Sequence, residues 1–311
     1  MKNDIYVAEP YDDEINLREQ FSVLWSAKKK IIRITMVFAV FSVALALWLP
    51  NQYKATVVLA PAQQQSGGLA GALGQMGGLA SLAGVSIGSV ESSDSQVAQE
   101  IMRSWSFIDK FIVENDLAVE VYAASRWREE QNELAIDDDI YDVASQEWLI
   151  EDDDTDELRP PTSWELYEEF EDRVTVSEDK ITGLVSVSIE YFSPYMAQAW
   201  VDLYVQAINS HMQSREVVKV SRNIEYLQNQ ISKTAITEMQ EVFFVLVEEQ
   251  IKAKMVAEAS PDYAFVTVSP SMLPEEKSQP NRALICILVT LLGGMLSVLL
   301  VLVMHYAKKS D

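Results

Sequence analysis

One stretch of this sequence has residue types and spacing that could bind a metal ion, the acidic segment 129–157. It carries fourteen acidic side chains and no basic one. Three of its aspartates stand at positions 1, 3 and 5 of an EF-hand calcium loop: Asp152, Asp154 and Asp156. Position 6 is Glu157 instead of glycine, however, and position 12 is Ser163 instead of glutamate. We therefore predict no metal site, but a solvated acidic insert that attracts divalent cations loosely.

Residues for other kinds of chemistry are scarce. The single cysteine, Cys286, excludes a disulfide framework and a thiolate zinc site. Two histidines, His211 and His305, leave little for acid–base chemistry. Residues 66–88 hold eight of the eleven glycines, but residues 55–102 contain no lysine or arginine, which a phosphate-binding loop requires. We expect a protein that is not an enzyme and binds no cofactor.

The charge balance excludes a further class of partner. Asp plus Glu total 47 against 24 Lys plus Arg, which gives a formal net charge of −23. Residues 50–282 carry 16 of the basic and 40 of the acidic side chains. Phosphate backbones would repel such a chain, so nucleic-acid binding is not expected.

Two apolar runs near the ends predict transmembrane helices. Residues 283–304 carry no charge and would form a helix about 33 Å long, close to the thickness of a bilayer core. Residues 31–49 contain only Arg33, which can reach the headgroups. Because thirty residues precede this run, we expect an uncleaved anchor. Leu17, Phe21, Leu24, Trp25 and Lys28 recur at helical spacing. They indicate either an amphipathic helix at the inner membrane surface or an extension of the first span.

Basic residues beside the two runs predict the topology and the domain boundaries. Lysines 28–30 precede the first run and lysines 308 and 309 follow the second, so both termini are expected in the cytoplasm. We expect a cytoplasmic segment at 1–30, a first span at 31–49 and an external domain at 50–282. A second span at 283–304 and a cytoplasmic tail at 305–311 follow. The short cytoplasmic parts leave no output domain, which argues against a two-span receptor or scaffold.

Periodicity predicts a mixed α and β external domain. Alternation favours strands at 53–59 and 263–268, and a hairpin of strands 173–178 and 183–191. An amphipathic helix is expected from five residues at helical spacing: Val97, Ile101, Trp105, Ile108 and Ile112. The base would comprise 50–192 and 262–282.

A long helix is expected over 193–260. Ser193 and Pro194 are typical of a helix start, and neither proline nor glycine follows until Pro261, which permits about 66 helical residues if unbroken. One apolar face runs along this segment: Ile224, Leu227, Ile231, Ala235, Met239, Val242 and Leu246. Since residues 241–247 are apolar nearly all round, we expect burial on two sides. Four candidates follow for a subunit interface: Leu227, Ile231, Phe243 and Phe244. For Phe244, a place in the domain's own core is an equal alternative.

Small residues predict close packing between the spans. Thr290 and Gly294, like Gly293 and Ser297, are four residues apart. The first span offers small surfaces at Ala39, Ser42 and Ala46. Three prolines before the second span predict a stiff connection to the membrane: Pro270, Pro274 and Pro280.

These features together resemble the Wzz family of chain-length determinants, also called polysaccharide co-polymerases. Similar motifs occur near the N-terminus: Ile15-Asn16-Leu17, Leu24-Trp25, Gln52-Tyr53-Lys54-Ala55 and the Gly-Leu-Ala repeats within 68–84. The most specific match is the C-terminal signature: Pro270, Pro274, Glu275, Lys277, Ser278, Pro280, Arg282, Gly293 and Gly294. One departure is Ser269-Pro270-Ser271, where the family often has Asp-Pro-Ala.

The resemblance implies a fold and a function. It implies an α+β membrane protein in the Gram-negative inner membrane, with two transmembrane helices flanking a periplasmic α/β base and a long, coiled-coil-like helical extension. Such proteins form ring-like homo-oligomers that set the length of O-antigen made by a Wzy-type polymerase. Membrane lipids and the lipid-linked glycan are further implied partners. A nearby alternative is an export co-polymerase that works with a separate tyrosine kinase.

Overall fold

The computed structural model describes residues 17–62, 90–152 and 157–310. The chain divides into two compact units, Met1–Leu49 with Gln279–Asp311, and Pro50–Ser278. The first contains two long helices, α1 (Leu17–Trp48) and a C-terminal helix (Arg282–Ser310). Residues 27–48 and 282–304 of these helices are long and apolar enough to cross a membrane. Because α1 is continuous from Leu17, the segment before the first span is an extension of the spanning helix.

The second unit is built on a four-stranded antiparallel sheet. Its strands are β1 (Tyr53–Pro61), β8 (Val174–Glu178), β9 (Val185–Tyr191) and β10 (Phe265–Ser269), in the order β10-β1-β9-β8. The predicted hairpin is β8–β9, with Val176 opposite Val187. Alternate residues of β1 and β9 are buried, as a period of two requires: Ala55, Val57, Leu59, Val185, Val187 and Ile189. This sheet face forms the core with the helices.

Helices α2 (Val90–Arg103) and α3 (Trp105–Glu114) replace the single amphipathic helix expected from 97 to 112. The chain bends at Ser104, and Trp105 is 46% exposed, so its place on the buried face was predicted wrongly. The residues that are buried instead include Met102, Phe107 and Phe111. The Tyr204 hydroxyl donates to the carbonyl of Met102 and thereby ties the bend to the long helix behind it.

The acidic segment is folded over most of its length, and its described acidic side chains are exposed or half-buried, which agrees with the solvated insert expected. After α4 (Ala118–Tyr122) come three short hairpins, and their strands are β2 (Ala124–Arg128), β3 (Glu133–Ile136), β4 (Tyr141–Asp142), β5 (Glu147–Trp148), β6 (Ile150–Glu151) and β7 (Leu158–Arg159). Aromatic rings provide the contacts: Tyr141 and Tyr122 lie 4.9 and 6.3 Å from Trp148 between centroids. Of the aspartates at EF-hand positions, Asp154 and Asp156 lie outside the described residues.

Helix α5 (Ser163–Glu171) follows the hairpins and begins with a capping box. Thr162 Oγ1 accepts the Glu165 N–H, while the Glu165 carboxylate accepts the Thr162 N–H at 2.7 Å. Both Nη atoms of Arg159 donate to the same carboxylate at 2.8 Å. These bonds, first of all those from Arg159, lower the pKa of Glu165 to about 2.

This pKa shift predicts a loss of stability in acid. Because the pKa of Glu165 is lower in the folded chain than its ordinary value of 4.5, its contribution is complete above that value and is lost as the pH falls towards about 2. We expect Glu165→Gln to cost about 1 kcal/mol of unfolding free energy near neutral pH. Thermal unfolding of full-length protein in detergent near pH 7 and pH 3 would show the difference between variant and parent shrinking in acid. An exposed control, Glu129→Gln, should match the parent at both pH values.

The segment expected to form one long helix is a helical hairpin. Helix α6 (Pro194–Lys233) begins as predicted, with the Ser193 hydroxyl accepting the Met196 N–H. It ends before residues 234–236, and α7 (Thr237–Ala259) packs back along it. Hydrogen bonds join the two helices, from Gln213 Nε2 to the carbonyl of Ala257 at 2.9 Å and from Asn223 Nδ2 to Gln250 Oε1 at 3.2 Å. The segment is therefore helical over nearly all of its length, as expected, but it is divided into two helices.

Asn209 fixes α6 to the edge of the sheet. Its side chain is 3% exposed, and its Oδ1 accepts the N–H groups of Ala264 and Phe265, both at 2.9 Å. Its Nδ2 donates to the carbonyl of Phe265 at 2.9 Å. Because Asn209→Ala would remove the hydrogen-bond partner of three backbone groups, two of them buried, we expect it to lower the unfolding free energy by about 3 kcal/mol. Thermal unfolding would measure this loss, and Ser210→Ala, at the exposed neighbour, is the control that should leave the midpoint unchanged.

Candidate functional site

The two apolar helices of the first unit pack through small residues. We label the C-terminal helix (Arg282–Ser310) α8. A Cβ placed on Gly293 would overlap the Cβ and Cγ of Phe38 on α1 and lie 2.9 Å from its Cδ2. A Cβ on Gly294 would meet only Thr35, at 3.9 Å. Gly293 is thus the point of closest approach, and Gly294 tolerates ordinary contact.

Polar side chains accompany this contact. Ser297 Oγ is fully buried, lies 3.4 Å from Thr35 Oγ1 and donates to the carbonyl of Gly294 at 2.7 Å. On α1, Ser42 and Ala46 are also buried, and Ser42 donates to the carbonyl of Ala39 at 2.7 Å. Thr290 is half-buried. Small residues in such positions let helix backbones approach in a lipid bilayer, where hydrophobic exclusion from water contributes nothing.

The prolines of the predicted stiff segment lie outside the helices and strands. Pro270 is exposed and Pro274 is half-buried. Gln198 Nε2 donates to the carbonyl of Ser271 at 3.2 Å, and the Ser278 N–H donates to the carbonyl of Gln52 at 2.8 Å. These bonds attach residues 271 and 278 to the base of the second unit. Pro280 belongs to the first unit and is half-buried.

The helical hairpin exposes a set of large apolar side chains, which we call the hairpin apolar surface: Tyr226, Ile236, Met239, Val242, Phe244 and Val245. Phe244 is 59% exposed, so the alternative that placed it in the domain's own core is wrong. The other interface candidates, Leu227, Ile231 and Phe243, are half-buried. Several exposed large apolar side chains on one hairpin favour a surface that another molecule covers.

Part of the chain is similar to a known protein family. Residues 13–115 match the Wzz model, described as chain length determinant protein. This segment is similar to the Wzz family. The resemblance drawn from the motifs is thereby confirmed, and the matched residues include α1, β1, α2 and α3. No curated protein sequence matches the chain.

Solved structures of polysaccharide co-polymerases are also similar to the chain. A full-length bacterial polysaccharide co-polymerase has 14% identity, a TM-score of 0.39 and coverage of 96% of this chain and 99% of the other. A fragment of WzzB from Salmonella Typhimurium has 12% identity, a TM-score of 0.32 and coverage of 74% and 100%. A mutant of the Shigella flexneri O-antigen chain-length regulator WzzBSF has 9% identity, a TM-score of 0.28 and coverage of 73% and 100%.

Proposed function

We propose that this protein regulates the chain length of O-antigen or a related surface polysaccharide made by a Wzy-type polymerase. It acts without catalysis of its own, as a ring-like homo-oligomer in the Gram-negative inner membrane. Residues 50–282 face the periplasm and both termini lie in the cytoplasm. The observation that carries the proposal is the match of residues 13–115 to the Wzz model.

Two structural features support this proposal. The closely packed pair α1 and α8 is suited to a bilayer, since both helices have the length and apolar composition that a span needs. The hairpin apolar surface supplies an area that a second subunit could bury. Together they fit a membrane-anchored protein that functions as an assembly.

The ladder of lipopolysaccharide lengths tests the function. Deleting the gene should replace a clustered length distribution by short or random lengths, and the parent gene on a plasmid should restore the cluster. An unchanged ladder in a strain that normally expresses the full-length protein would contradict the proposal. If the ladder stays intact while capsule export fails, the export co-polymerase alternative is favoured instead.

Cysteine labelling tests the topology. In a Cys286→Ser background, a membrane-impermeant reagent added from the periplasmic side should label Lys180→Cys, which lies in the exposed β8–β9 turn. It should label Lys29→Cys only after the membrane is opened. The opposite pattern would place the second unit in the cytoplasm and contradict the proposed function.

A further inference from the structure

The second unit contains a basic groove between α3 and α6. Two adjoining cavities, of about 330 and 460 Å³, share Lys110, His211 and Ser214 in their linings. Three further cations line the second cavity: Arg215, Lys219 and Arg222. We call these six residues and the space between them the basic groove.

The local charge of the groove is opposite to that of the chain. Four full cations line it against one carboxylate, Glu114, whose Oε1 lies 3.6 Å from Lys110 Nζ. Lys219 also pairs with Glu216 at 2.9 Å. Among the described residues, Arg215 and Arg222 form no ion pair. With two carboxylates beside four cations, the groove keeps a local excess of positive charge, and charges further away than about 8 Å are largely screened in physiological salt.

The cations are spaced along one face of α6. Arg215, Lys219 and Arg222 follow one another by four and three residues, so the row extends for about 10 Å along the helix. Lys110 reaches the same groove from α3. A row of positive charges in a continuous groove matches a linear ligand with several negative groups better than a single small anion.

Uncharged polar groups line the same space. The side chains of Gln206, Ser210 and Ser214 lie at the groove, and none forms a hydrogen bond to another described residue. Burial, followed by the nearby charges of Lys110 and Arg215, lowers the pKa of His211, which favours the neutral imidazole with one donor and one acceptor. These groups are suited to the hydroxyls of a sugar, whereas the guanidinium groups are suited to carboxylate or phosphate.

We propose that the basic groove binds an acidic oligosaccharide, a sugar chain that carries carboxylate or phosphate groups. The inference rests on the proposed function, which brings the second unit to a growing polysaccharide in the periplasm. This inference names a class of ligand and a binding site, neither of which follows from the match to the Wzz model. The groove would hold the chain through charge-assisted bonds from Arg215 and Arg222, with the neutral polar groups contacting the sugar rings.

Calorimetric titration of the full-length protein in detergent tests the groove. The probes are a galacturonate hexamer, a phosphomannan fragment and the neutral maltohexaose. We expect at least one acidic probe to bind, high salt to weaken it, and maltohexaose to bind at least about tenfold more weakly. The double variant Arg215→Gln/Arg222→Gln should weaken the acidic probe about tenfold or more. The control Arg128→Gln/Lys180→Gln removes the same charge from exposed residues outside the groove and should leave the affinity within about twofold.

The two acidic probes distinguish carboxylate from phosphate as the group that the groove binds. Other outcomes would contradict the proposal. Binding of the hexamer points to carboxylate, and binding of the phosphomannan fragment alone points to phosphate. No binding by either acidic probe, equal binding of maltohexaose, or an unchanged affinity in the double variant would refute the site. Displacement by an equal concentration of pyrophosphate would show a general anion site and refute the sugar chain.

A change in the mass of the assembly would assign the groove to a different partner. If native mass spectrometry shows that only the double variant, and not its control, dissociates, a second copy of the chain occupies the groove and the proposal is wrong. The lipopolysaccharide ladder separates this inference from the proposed function. A ladder that depends on the gene, with no binding in vitro, refutes the groove alone, whereas a ladder independent of the gene refutes the function.

Discussion

Replacing Gly293 by leucine is expected to separate the two apolar helices. Even a Cβ at this position would overlap the first side-chain carbons of Phe38, which cannot swing away as the end of a flexible chain could. Overpacking of this kind typically costs about 1–3 kcal/mol, and leucine adds three more carbons. We therefore expect α1 and α8 to move apart where Gly293 faces Phe38.

A disulfide across the helix pair would report the separation. Thr35 and Ser297 have their hydroxyl oxygens 3.4 Å apart, so cysteines at both positions are close enough to be oxidised. In a Cys286→Ser background, this pair should cross-link readily in membranes, and Gly293→Leu should reduce the rate more than about tenfold.

Gly294→Ala is the control, because a Cβ at Gly294 meets Thr35 only at 3.9 Å, which is ordinary van der Waals contact. We expect its cross-linking to stay within about twofold of the parent and its ladder to change less than that of Gly293→Leu. Equal cross-linking in both glycine variants would show that the close approach at Gly293 does not hold the helices together.

Phe244→Asp is expected to break the assembly. Phe244 is 59% exposed in the single chain, so the change leaves the hairpin folded but places a charge on the hairpin apolar surface. Fully burying an exposed phenylalanine contributes about 1.5–3 kcal/mol, so covering the exposed 59% of Phe244 contributes about 1–2 kcal/mol, and a ring repeats that contribution at every contact. The new carboxylate would lie close to Glu241 and Glu248 along the helix, which adds repulsion.

Native mass spectrometry of the full-length protein in detergent should show a smaller oligomer, and the ladder should shift to short or random lengths. The control is Ile181→Asp, since Ile181 is an apolar residue, 94% exposed, in the turn between β8 and β9. Circular dichroism should show unchanged helix content in both variants. A Phe244→Asp protein of parental mass with an unaltered ladder would contradict the interface.

Short-range rules predicted much of the fold. The apolar runs predict α1 and α8 because a helix without a polar face is stable only where water is absent. Alternation predicts β8 and β9 because side chains of a strand point to opposite faces. Ser193 and Pro194 predict the start of α6 because the hydroxyl accepts an otherwise free N–H and proline needs none.

The turn of the helical hairpin could not be predicted in this way. Residues 234–236 contain neither proline nor glycine, and the apolar pattern continues through them. The chain turns because side chains take over the carbonyls at the helix end: Gln240 Nε2 donates to the carbonyl of Thr234 at 2.7 Å. The returning helix then gains contacts with α6 that an unbroken helix would leave to another molecule.

For the candidate surfaces too, some features could be predicted from the sequence and others only from the tertiary structure. By itself, the sequence determined the apolar helices, their small residues, the strand pattern and the Wzz motifs, because each depends on neighbours within a few residues. Only the tertiary structure decided that Gly293 and not Gly294 touches Phe38, that Phe244 stays exposed, and that Lys110 joins Arg215 from about a hundred residues away. Such contacts depend on how whole helices pack, and packing is set by the summed burial of many side chains, which no local spacing records.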